Sequence, residues 1–370
     1  MALAAIGGVT ISVLPAPVSR IVSAANPRPA PPPLPGVTAP AFAVSYDGQL
    51  IAGEKVTELR PTASTIKVLT ALAVLDGGPP LSQRINVTPA DALAAREGAL
   101  LGHGVLPLVA GETLTVRDLL LSMLLPSADN AADLLASEFP GGESELLHRM
   151  TSIATRLHLG LPPMGDPSGL SPFDRLSPLG EVRLGWAALK NPTLAAMVGS
   201  QAATLSQGQR VQSINRLLST YRGAIGIKTG QTAPAGYVLL FAAHRTGTAV
   251  GVIMGEPTDA DRFRDAGRLL DWTFAWAKAH TWPAGSIIGS VVWPGGAVQE
   301  LRTAAPLLVT RSSGLPQLHL KSPATLALGG CAGYAAADGH RVAVVTSPAP
   351  LFIRLWTLVD RWPLRASFGG

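Results

Sequence analysis

Six lysines occur in this 370-residue chain, and two of them stand close to hydroxyl side chains in short motifs. Ser64 and Lys67 lie in a helix-favouring run, residues 61–77, which ends where a glycine pair begins. A helix that begins near Ser64 places Lys67 one turn beyond it on the same face. A serine becomes a good nucleophile only when a base takes its proton, and a lysine is that base only when its pKa is lowered. Ser64 and Lys67 are therefore a candidate nucleophile and general base.

A second motif, Ser127-Ala128-Asp129-Asn130, follows an apolar helix predicted over residues 116–125 and the proline that ends it. Ser127 then lies on a tight connection before a helix predicted over residues 131–137. Such a serine either points into a cleft, where it can relay a proton, or caps the helix that follows. The residues alone favour the capping interpretation, and the proton-relay interpretation gains weight only beside the other motifs.

The third motif, Lys228-Thr229-Gly230, ends the first of three strands predicted over residues 223–255. A lysine in a core strand needs a partner, and the alternative is a solvated lysine at a strand edge. In a cleft, Lys228 and the Thr229 hydroxyl would bind a carboxylate, and Gly230 would let a substrate backbone approach closely.

The order and spacing of these motifs resemble those of the low-molecular-mass D-alanyl-D-alanine carboxypeptidases, which are penicillin-binding serine peptidases of the β-lactamase-like fold. The resemblance covers about residues 41–280. It implies an α/β (α+β) fold in which helices flank an antiparallel sheet. It also implies removal of the terminal D-alanine from peptidoglycan stem peptides through an acyl-enzyme, with β-lactams as inhibitors.

The same resemblance implies a role for each motif residue. Ser64 attacks, Lys67 takes its proton, and Ser127 relays a proton to the leaving D-alanine. Lys228 and Thr229 hold the terminal carboxylate, and the backbone amides of Ser64 and Gln231 form the oxyanion hole. The residues expected to bind substrate are Asp129, Asn130, Lys228, Thr229, Gly230 and Gln231.

The second motif departs from the family pattern, which has asparagine two residues after the serine. This chain has Asp129 there, followed by Asn130. An asparagine amide accepts from a lysine and donates to a substrate at once, whereas an ionised aspartate only accepts. Asp129 would pair with the lysines, raise their pKa and weaken the base. Either Asn130 replaces it through a local shift, or activity is reduced.

Two rival functions follow from these residues. A silent relative that binds cell-wall peptide or a partner protein is one, because of Asp129. A β-lactamase is the other, although the Glu-x-x-x-Asn element that would supply a deacylating glutamate is missing from the loop after the second motif. That loop carries Asp166-Pro167-Ser168-Gly169-Leu170, which resembles a family element and is expected to shape the cleft.

The composition of the N-terminal residues is typical of an export signal and predicts an exported protein. Residues 1–26 are apolar, carry no charge before Arg20 and offer Val22-Ser23-Ala24 as a cleavage site, although the basic start of an export signal is missing. The alternative is a disordered leader. Residues 27–40 form a proline-rich spacer. We expect an extracytoplasmic protein of the cell envelope.

The remaining chain divides into a catalytic domain, residues 41–282, and a small β-rich module, residues 284–370. Within the catalytic domain we expect a hairpin from residue 41 and helices over residues 89–96, 178–189, 209–218 and 259–279. The apolar segment 351–358 is either an interfacial membrane anchor or a helix or strand docked on the module.

Composition bounds the other functions. The net charge is +5, but the arginines are scattered without interleaved aromatic residues, so nucleic-acid binding is not expected. A single cysteine, Cys331, excludes an intrachain disulfide and a cysteine metal cluster. The seven histidines show no His-x-x-x-His spacing. No metal or cofactor is predicted, and the sequence does not indicate an oligomeric state.

Overall fold

A computed structural model describes residues 20–22, 32–160, 165–293, 298–309, 317–320, 326, 329–337 and 340–347. The chain forms two compact units. One is Pro33–Phe274, and the other combines Met1–Pro32 with Ala275–Gly370. Most of the predicted leader and the apolar segment 351–358 lie outside the described residues, so the predictions made for them stay predictions.

The helices of four or more residues, in chain order, are α1 Lys67–Gly77, α2 Pro89–Leu100, α3 Val116–Leu124, α4 Asp129–Ser137, α5 Gly142–Arg156, α6 Pro178–Lys190, α7 Pro192–Val198, α8 Leu217–Thr220 and α9 Asp259–His280. A 3-10 turn, Ala63–Ile66, precedes α1. The strands are β1 Arg20–Val22, β2 Ala41–Tyr46, β3 Gln49–Glu54, β4 Arg60–Pro61, β5 Arg84–Asn86, β6 Thr113–Thr115, β7 Arg175–Leu176, β8 Ala202–Thr204, β9 Arg210–Gln212, β10 Ala224–Thr232, β11 Gly236–His244, β12 Thr248–Glu256, β13 Thr281–Trp282, β14 Ile287–Val292, β15 Val298–Thr303, β16 Leu307–Leu308, β17 Gln317–Leu320, β18 Gly330–Ala337 and β19 His340–Thr346.

A five-stranded antiparallel sheet organises the unit Pro33–Phe274, in the order β10-β11-β12-β2-β3. The predicted hairpin is confirmed as β2 and β3, joined at Asp47 and Gly48. All six residues of β2 are buried, as expected for a central strand covered on both faces. Strand β10, which carries the third motif, lies at one edge of the sheet, where one side of its backbone has no neighbouring strand in that sheet.

Helix α1 is buried over most of its circumference, from Lys67 to Val74, so it is a core helix rather than an amphipathic surface helix. Helix α6 packs against both α1 and the sheet. Helices α2 and α3 begin with capping boxes, formed by Thr88 with Asp91 and by Thr115 with Asp118. The expected antiparallel sheet flanked by helices is therefore confirmed.

The helix predicted over residues 209–218 is wrong. Residues Arg210–Gln212 form strand β9, which pairs with β8, and only Leu217–Thr220 is helical. Arg210 and Gln212 are exposed while Val211 is buried, which is the alternation of a half-buried strand. Gly208, in the left-handed region at φ +91°, makes the turn between the two strands.

The unit that contains Ala275–Gly370 holds a six-stranded sheet in the order β1-β14-β15-β19-β18-β17. Its core includes Ile288, Trp293 and Leu301. The β-rich character predicted for this region is confirmed. Strand β1 pairs antiparallel with β14 at one edge. Among the helices that the structure describes, none is both long enough and apolar enough to cross a bilayer.

Two helical glycines of the unit Pro33–Phe274 provide a test of how tightly α6 packs on the five-stranded sheet. A Cβ on Gly185 would lie 2.7 Å from Val250 Cγ1 and 3.0 Å from Ile227 Cδ1. We expect Gly185→Ala to lower the free energy of unfolding by about 1–3 kcal/mol, since overpacking forces neighbours to move. Denaturant unfolding followed by circular dichroism measures the change.

Gly267 is the matched control, since outside its own helix backbone a Cβ there would meet no atom of the described chain within 4 Å. Gly267→Ala should raise the free energy of unfolding by up to about 1 kcal/mol, because alanine is the better helix former. Equal effects of the two substitutions would contradict the close packing of α6.

Candidate active site

The nucleophile candidate lies in the 3-10 turn rather than in the α-helix expected from the sequence, and α1 begins at Lys67. Ala63, directly before Ser64, has φ +47°. Two glycines pack closely against this turn. A Cβ on Gly169 would lie 2.1 Å from the Ala63 carbonyl oxygen, and one on Gly230 would lie 3.1 Å from the Ser64 nitrogen. The turn is therefore held between the loop after α5 and strand β10.

Lys67 is fully buried and reaches three oxygen atoms. Its Nζ lies 2.8 Å from Ser64 Oγ, 2.5 Å from Asp129 Oδ1 and 2.9 Å from the Ser168 carbonyl oxygen. A neutral amine has two N–H groups and one lone pair. Asp129 and Ser168 can take the two N–H groups, which leaves the lone pair facing the Ser64 hydroxyl. The geometry is that of a base poised to take the serine proton.

The pKa of Lys67 lies below its ordinary value. Burial is the largest cause, since it disfavours the ammonium form. Asp129 opposes this shift through its charge and its hydrogen bond, and Asp166 and Asp133 oppose it through charge alone. The expected pairing of Asp129 with a lysine is present and does act to raise the lysine pKa, but burial outweighs it.

Ser127 and Lys228 form a second hydroxyl–amine pair. Lys228 Nζ, on a residue only 1% exposed, donates to Ser127 Oγ at 2.7 Å and to the Thr229 carbonyl at 3.0 Å. Ser127 adopts φ +67°, and the N-cap position of α4 belongs to Ala128. The capping interpretation of Ser127 is therefore wrong, since its hydroxyl faces the third motif.

Burial lowers the pKa of Lys228 well below its ordinary value, and the neighbouring charges of Lys67 and Arg262 lower it further, while that of Asp129 opposes them. The two lysines are thus close enough to influence each other's protonation. Three segments that are distant in sequence are therefore joined by side-chain contacts, Lys67 with Ser64 and Asp129, and Lys228 with Ser127.

Asp129, rather than Asn130, occupies the position beside Lys67. Both amide atoms of Asn130 bond to Leu106, with Oδ1 accepting from its N–H at 2.8 Å and Nδ2 donating to its carbonyl at 2.9 Å. The local shift that would let Asn130 replace the family asparagine is not what the structure shows. Asn130 instead anchors the loop before β6.

The loop with Asp166 folds around that carboxylate, which accepts the backbone N–H groups of Ser168, Gly169 and Ser171. Burial acts to raise the pKa of Asp166, but the hydrogen bond from the Ser168 hydroxyl and these backbone hydrogen bonds outweigh it and hold the pKa below its ordinary value. The loop shapes the site as expected. The sequence did not indicate that the Ser168 carbonyl would be a ligand of Lys67.

Arg262 of α9 was also missed. It is buried, pairs with Asp259, and donates through Nη1 to the carbonyls of Gly230 at 2.8 Å and Val238 at 3.2 Å. It therefore fixes the end of β10 and places a positive charge near Lys228, whose pKa it lowers. An arginine one turn into an amphipathic helix ordinarily faces solvent. The position of Arg262 in the sequence of α9 does not distinguish it from such an exposed arginine.

The described residues contain no group of three or more His, Cys, Asp or Glu side chains arranged to hold a metal ion. What they do contain is a serine whose neighbouring lysine can serve as base, and a second hydroxyl held by a second lysine. Such a site, on an antiparallel sheet flanked by helices, belongs to the class of serine hydrolases that use lysine as general base.

Comparison with known sequences identifies the family. The D-alanyl-D-alanine carboxypeptidase model of peptidase family S11 matches residues 38–258, so the chain belongs to that family. A D-alanyl-D-alanine carboxypeptidase of Streptomyces sp. is 31% identical over 236 residues, which are 58% of this chain and 79% of the relative. One of Mycobacterium tuberculosis is 34% identical over 243 residues, 62% of this chain and 79% of the relative.

Solved structures agree. The Streptomyces DD-transpeptidase superposes with a TM-score of 0.60 at 26% identity, over 66% of this chain and 99% of that one. A penicillin-binding protein homologue of M. tuberculosis gives a TM-score of 0.59 at 31% identity, over 67% and 95% of the two chains. This chain is accordingly a serine-type enzyme with the fold of the penicillin-binding DD-peptidases.

The Lys67–Asp129 pair generates a pH prediction. Asp129→Asn removes the charge that acts to raise the pKa of Lys67, so this pKa should fall further and more of the neutral base should be present below pH 7. The acid limb of the pH profile for acylation by a penicillin should move to lower pH, with a several-fold higher rate at pH 6. Stopped-flow acylation measures it.

Asp133→Asn is the control for charge at longer range. Asp133 also acts to raise the pKa of Lys67, but only by charge. Burial, together with the charges of Asp129 and Asp166, raises the pKa of Asp133 itself to about 6. Replacement of Asp133 should shift the acid limb of the acylation profile to lower pH, but by less than Asp129→Asn does. An Asp129→Asn profile identical with wild type would refute the proposed influence of this pair.

Proposed function

We propose that this enzyme cleaves the terminal D-Ala–D-Ala bond of peptidoglycan stem peptides through an acyl-enzyme on Ser64. The observation that carries the proposal is the contact between the Ser64 hydroxyl and the buried Lys67 amine, at 2.8 Å. Family membership supports the substrate class. The residue roles are part of the proposal, and the positions of the side chains support them.

Acylation begins when the neutral Lys67 amine takes the Ser64 proton and Ser64 Oγ attacks the carbonyl carbon of the penultimate D-alanine. Gly230 brings strand β10 to the Ser64 amide, and the amides of Ser64 and Gln231 hold the oxyanion. A side chain at position 230 would separate the strand from the turn. The closeness of these two backbone segments is therefore a requirement of the oxyanion hole.

The leaving D-alanine needs a proton as its C–N bond breaks. The Ser127 hydroxyl donates it and is reprotonated from the lysines, with Lys228 in direct contact at 2.7 Å. Water then attacks the ester carbonyl, its proton returns through Lys67 to Ser64, and the shortened peptide leaves. Asp129 orients Lys67 throughout, and Asn130 supports the site by holding Leu106.

The terminal carboxylate of the substrate binds at Lys228 and the Thr229 hydroxyl. Arg262 adds positive potential behind them through its contact with the Gly230 carbonyl. An arriving carboxylate favours the protonated form of Lys228, whose pKa is low in the empty site. Substrate binding and lysine protonation are therefore linked.

A penicillin presents a reactive acyl group and a carboxylate in a similar arrangement, so it should acylate the same serine. Intact-mass spectrometry after incubation with a penicillin should show one covalent adduct, and Ser64→Ala should abolish it. Ser219→Ala is the control, since Ser219 is exposed and bonds only locally to the Arg216 carbonyl. An adduct that persists in Ser64→Ala would exclude Ser64 as the nucleophile.

The proposed carboxylate-binding role of Lys228 and Thr229 is tested by changing the substrate rather than the enzyme. A peptide whose terminal D-alanine is amidated lacks the charge that Lys228 and Thr229 bind, so kcat/KM for its cleavage should fall at least about tenfold, as expected for one lost charged hydrogen bond. Release of the terminal residue is followed by chromatography. The control is N-terminal acetylation, which leaves that carboxylate intact. Equal kcat/KM for the amidated and free peptides would argue against the assignment.

We also propose that the enzyme is exported to the cell envelope and works at the membrane surface. Its substrate class is found there, and an apolar leader followed by a proline-rich spacer is the layout of an exported protein. N-terminal sequencing of protein from the envelope fraction would locate the mature start. Recovery of full-length chain from the cytoplasm alone would contradict export.

A further inference from the structure

A buried carboxyl group behind the nucleophile turn has no part in the mechanism above. Glu181, in the first turn of α6, is 0% exposed. Its Oε1 lies 2.6 Å from Thr65 Oγ1, and its buried Oε2 has no hydrogen-bond partner among the residues described. Thr65 is the residue after Ser64. The carboxyl group therefore touches the turn that presents the nucleophile.

The protons around Thr65 can be counted. Thr65 Oγ1 lies 2.8 Å from the Thr62 carbonyl oxygen and 2.6 Å from Glu181 Oε1. A hydroxyl has one proton, and a carbonyl oxygen can only accept. If Glu181 were ionised, one of these two contacts would join two acceptors. Both become hydrogen bonds only when Glu181 carries a proton and donates it to Thr65, which then donates to Thr62.

The surroundings also favour the neutral acid. Within the described part of the chain, Glu181 has no ion-pair partner. Lys67 on α1 donates to other oxygens, and exposed Arg175 on β7 donates to a proline carbonyl. Asp174, on the segment before β7, uses its carboxylate for the amides of Gly165 and Asp166. The hydroxyl of Tyr46, on β2, likewise bonds to a threonine hydroxyl rather than to Glu181.

Burial raises the pKa of Glu181 to about 7, although a hydrogen bond donated by Thr65 to the carboxylate would lower it. An ionised carboxylate at this position would be a buried charge with one hydrogen bond, which is a costly state.

We propose that Glu181 is a positioning residue that acts as a neutral carboxylic acid and locks the nucleophile turn through the chain Glu181–Thr65–Thr62. The bond from Thr65 to Thr62 closes the turn across Ala63 and Ser64, so it fixes both the Ser64 hydroxyl and the Ser64 amide of the oxyanion hole. The inference rests on the proposed function for its catalytic consequence, but its proton assignment can be measured without any reaction.

The decisive variants are Glu181→Gln and Glu181→Ala. A glutamine amide donates to Thr65 as the neutral acid does, but it cannot ionise. The acylation rate of Glu181→Gln should stay within about twofold of wild type at pH 6. If ionisation of Glu181 lowers the wild-type rate at alkaline pH, that part of the decrease should be absent from the variant. Glu181→Ala should slow acylation at least about tenfold at pH 6, because the turn loses its lock, while the dissociation constant of the initial penicillin complex stays the same.

Two measurements are independent of activity. Infrared spectroscopy of wild type near pH 6 should show the carbonyl band of a protonated buried carboxyl group that is absent from Glu181→Gln. The gain in melting temperature from Glu181→Gln should be larger at pH 8 than at pH 4.5. The reason is that an acid with a raised pKa stabilises the fold at low pH and loses that contribution as the pH rises from its unfolded to its folded pKa.

The outcomes separate the two claims. An adduct missing from wild type would count against the proposed function and leave the infrared result to decide the protonation state. Absence of the carboxyl band, or a Glu181→Gln variant as slow as Glu181→Ala at pH 6, would overturn the inference. If Glu181→Ala does not fold, the infrared band and the pH dependence of Glu181→Gln still decide it.

Discussion

Two buried ammonium-forming groups in one pocket are the constraint on which this site depends. Lys67 and Lys228 are almost entirely removed from water, and one carboxylate, Asp129, is in contact with Lys67. Burying an ammonium ion without full compensation is unfavourable, so each lysine is driven toward its neutral form. That same cost is what turns an ordinarily protonated side chain into a base. The apolar core around α1 therefore contributes to the chemistry as well as to stability.

The backbone around the hydroxyl groups is equally constrained. Ala63 and Ser127 both adopt left-handed conformations that side chains disfavour, and both lie in or next to a catalytic motif. Such conformations persist only where the surroundings determine them. Around Ala63 these surroundings are the close approach of Gly169 and Gly230 together with the Thr65–Glu181 contact.

The sequence predicted the three motifs and the sheet flanked by helices, because hydroxyl and amine side chains at short spacings and long apolar runs are explicit in the residues. It could not predict the Ser168 carbonyl beside Lys67, since every residue has a carbonyl and only the fold selects one. Arg262 and Glu181 were missed for another reason. Each lies one turn into a helix, where a charged residue is ordinarily solvated, and only tertiary packing buries it.

The wrong helix at residues 209–218 has a local cause. Strand β9 is three residues long, which is too short for its alternation to stand out against helix-compatible neighbours. The presence of Asp129 where the family pattern has asparagine was visible in the sequence. Its consequence was not, because the contact that occupies Asn130 is with Leu106, 24 residues earlier.

Asp129 influences how protons are distributed between Lys67 and Lys228. Because the charge of Lys67 lowers the pKa of Lys228, the two amines are coupled, and a proton on one disfavours a proton on the other. Asp129 acts to raise the pKa of both lysines, and it is in contact with Lys67, where a proton would block the base. In the function proposed above, a substrate carboxylate at Lys228 favours the proton on Lys228 and so disfavours one on Lys67. An asparagine at position 129 would remove the charge that opposes the effect of burial on the pKa of Lys67. The aspartate therefore leaves the pKa of Lys67 higher than an asparagine would, and a proton on Lys228 acts against that effect.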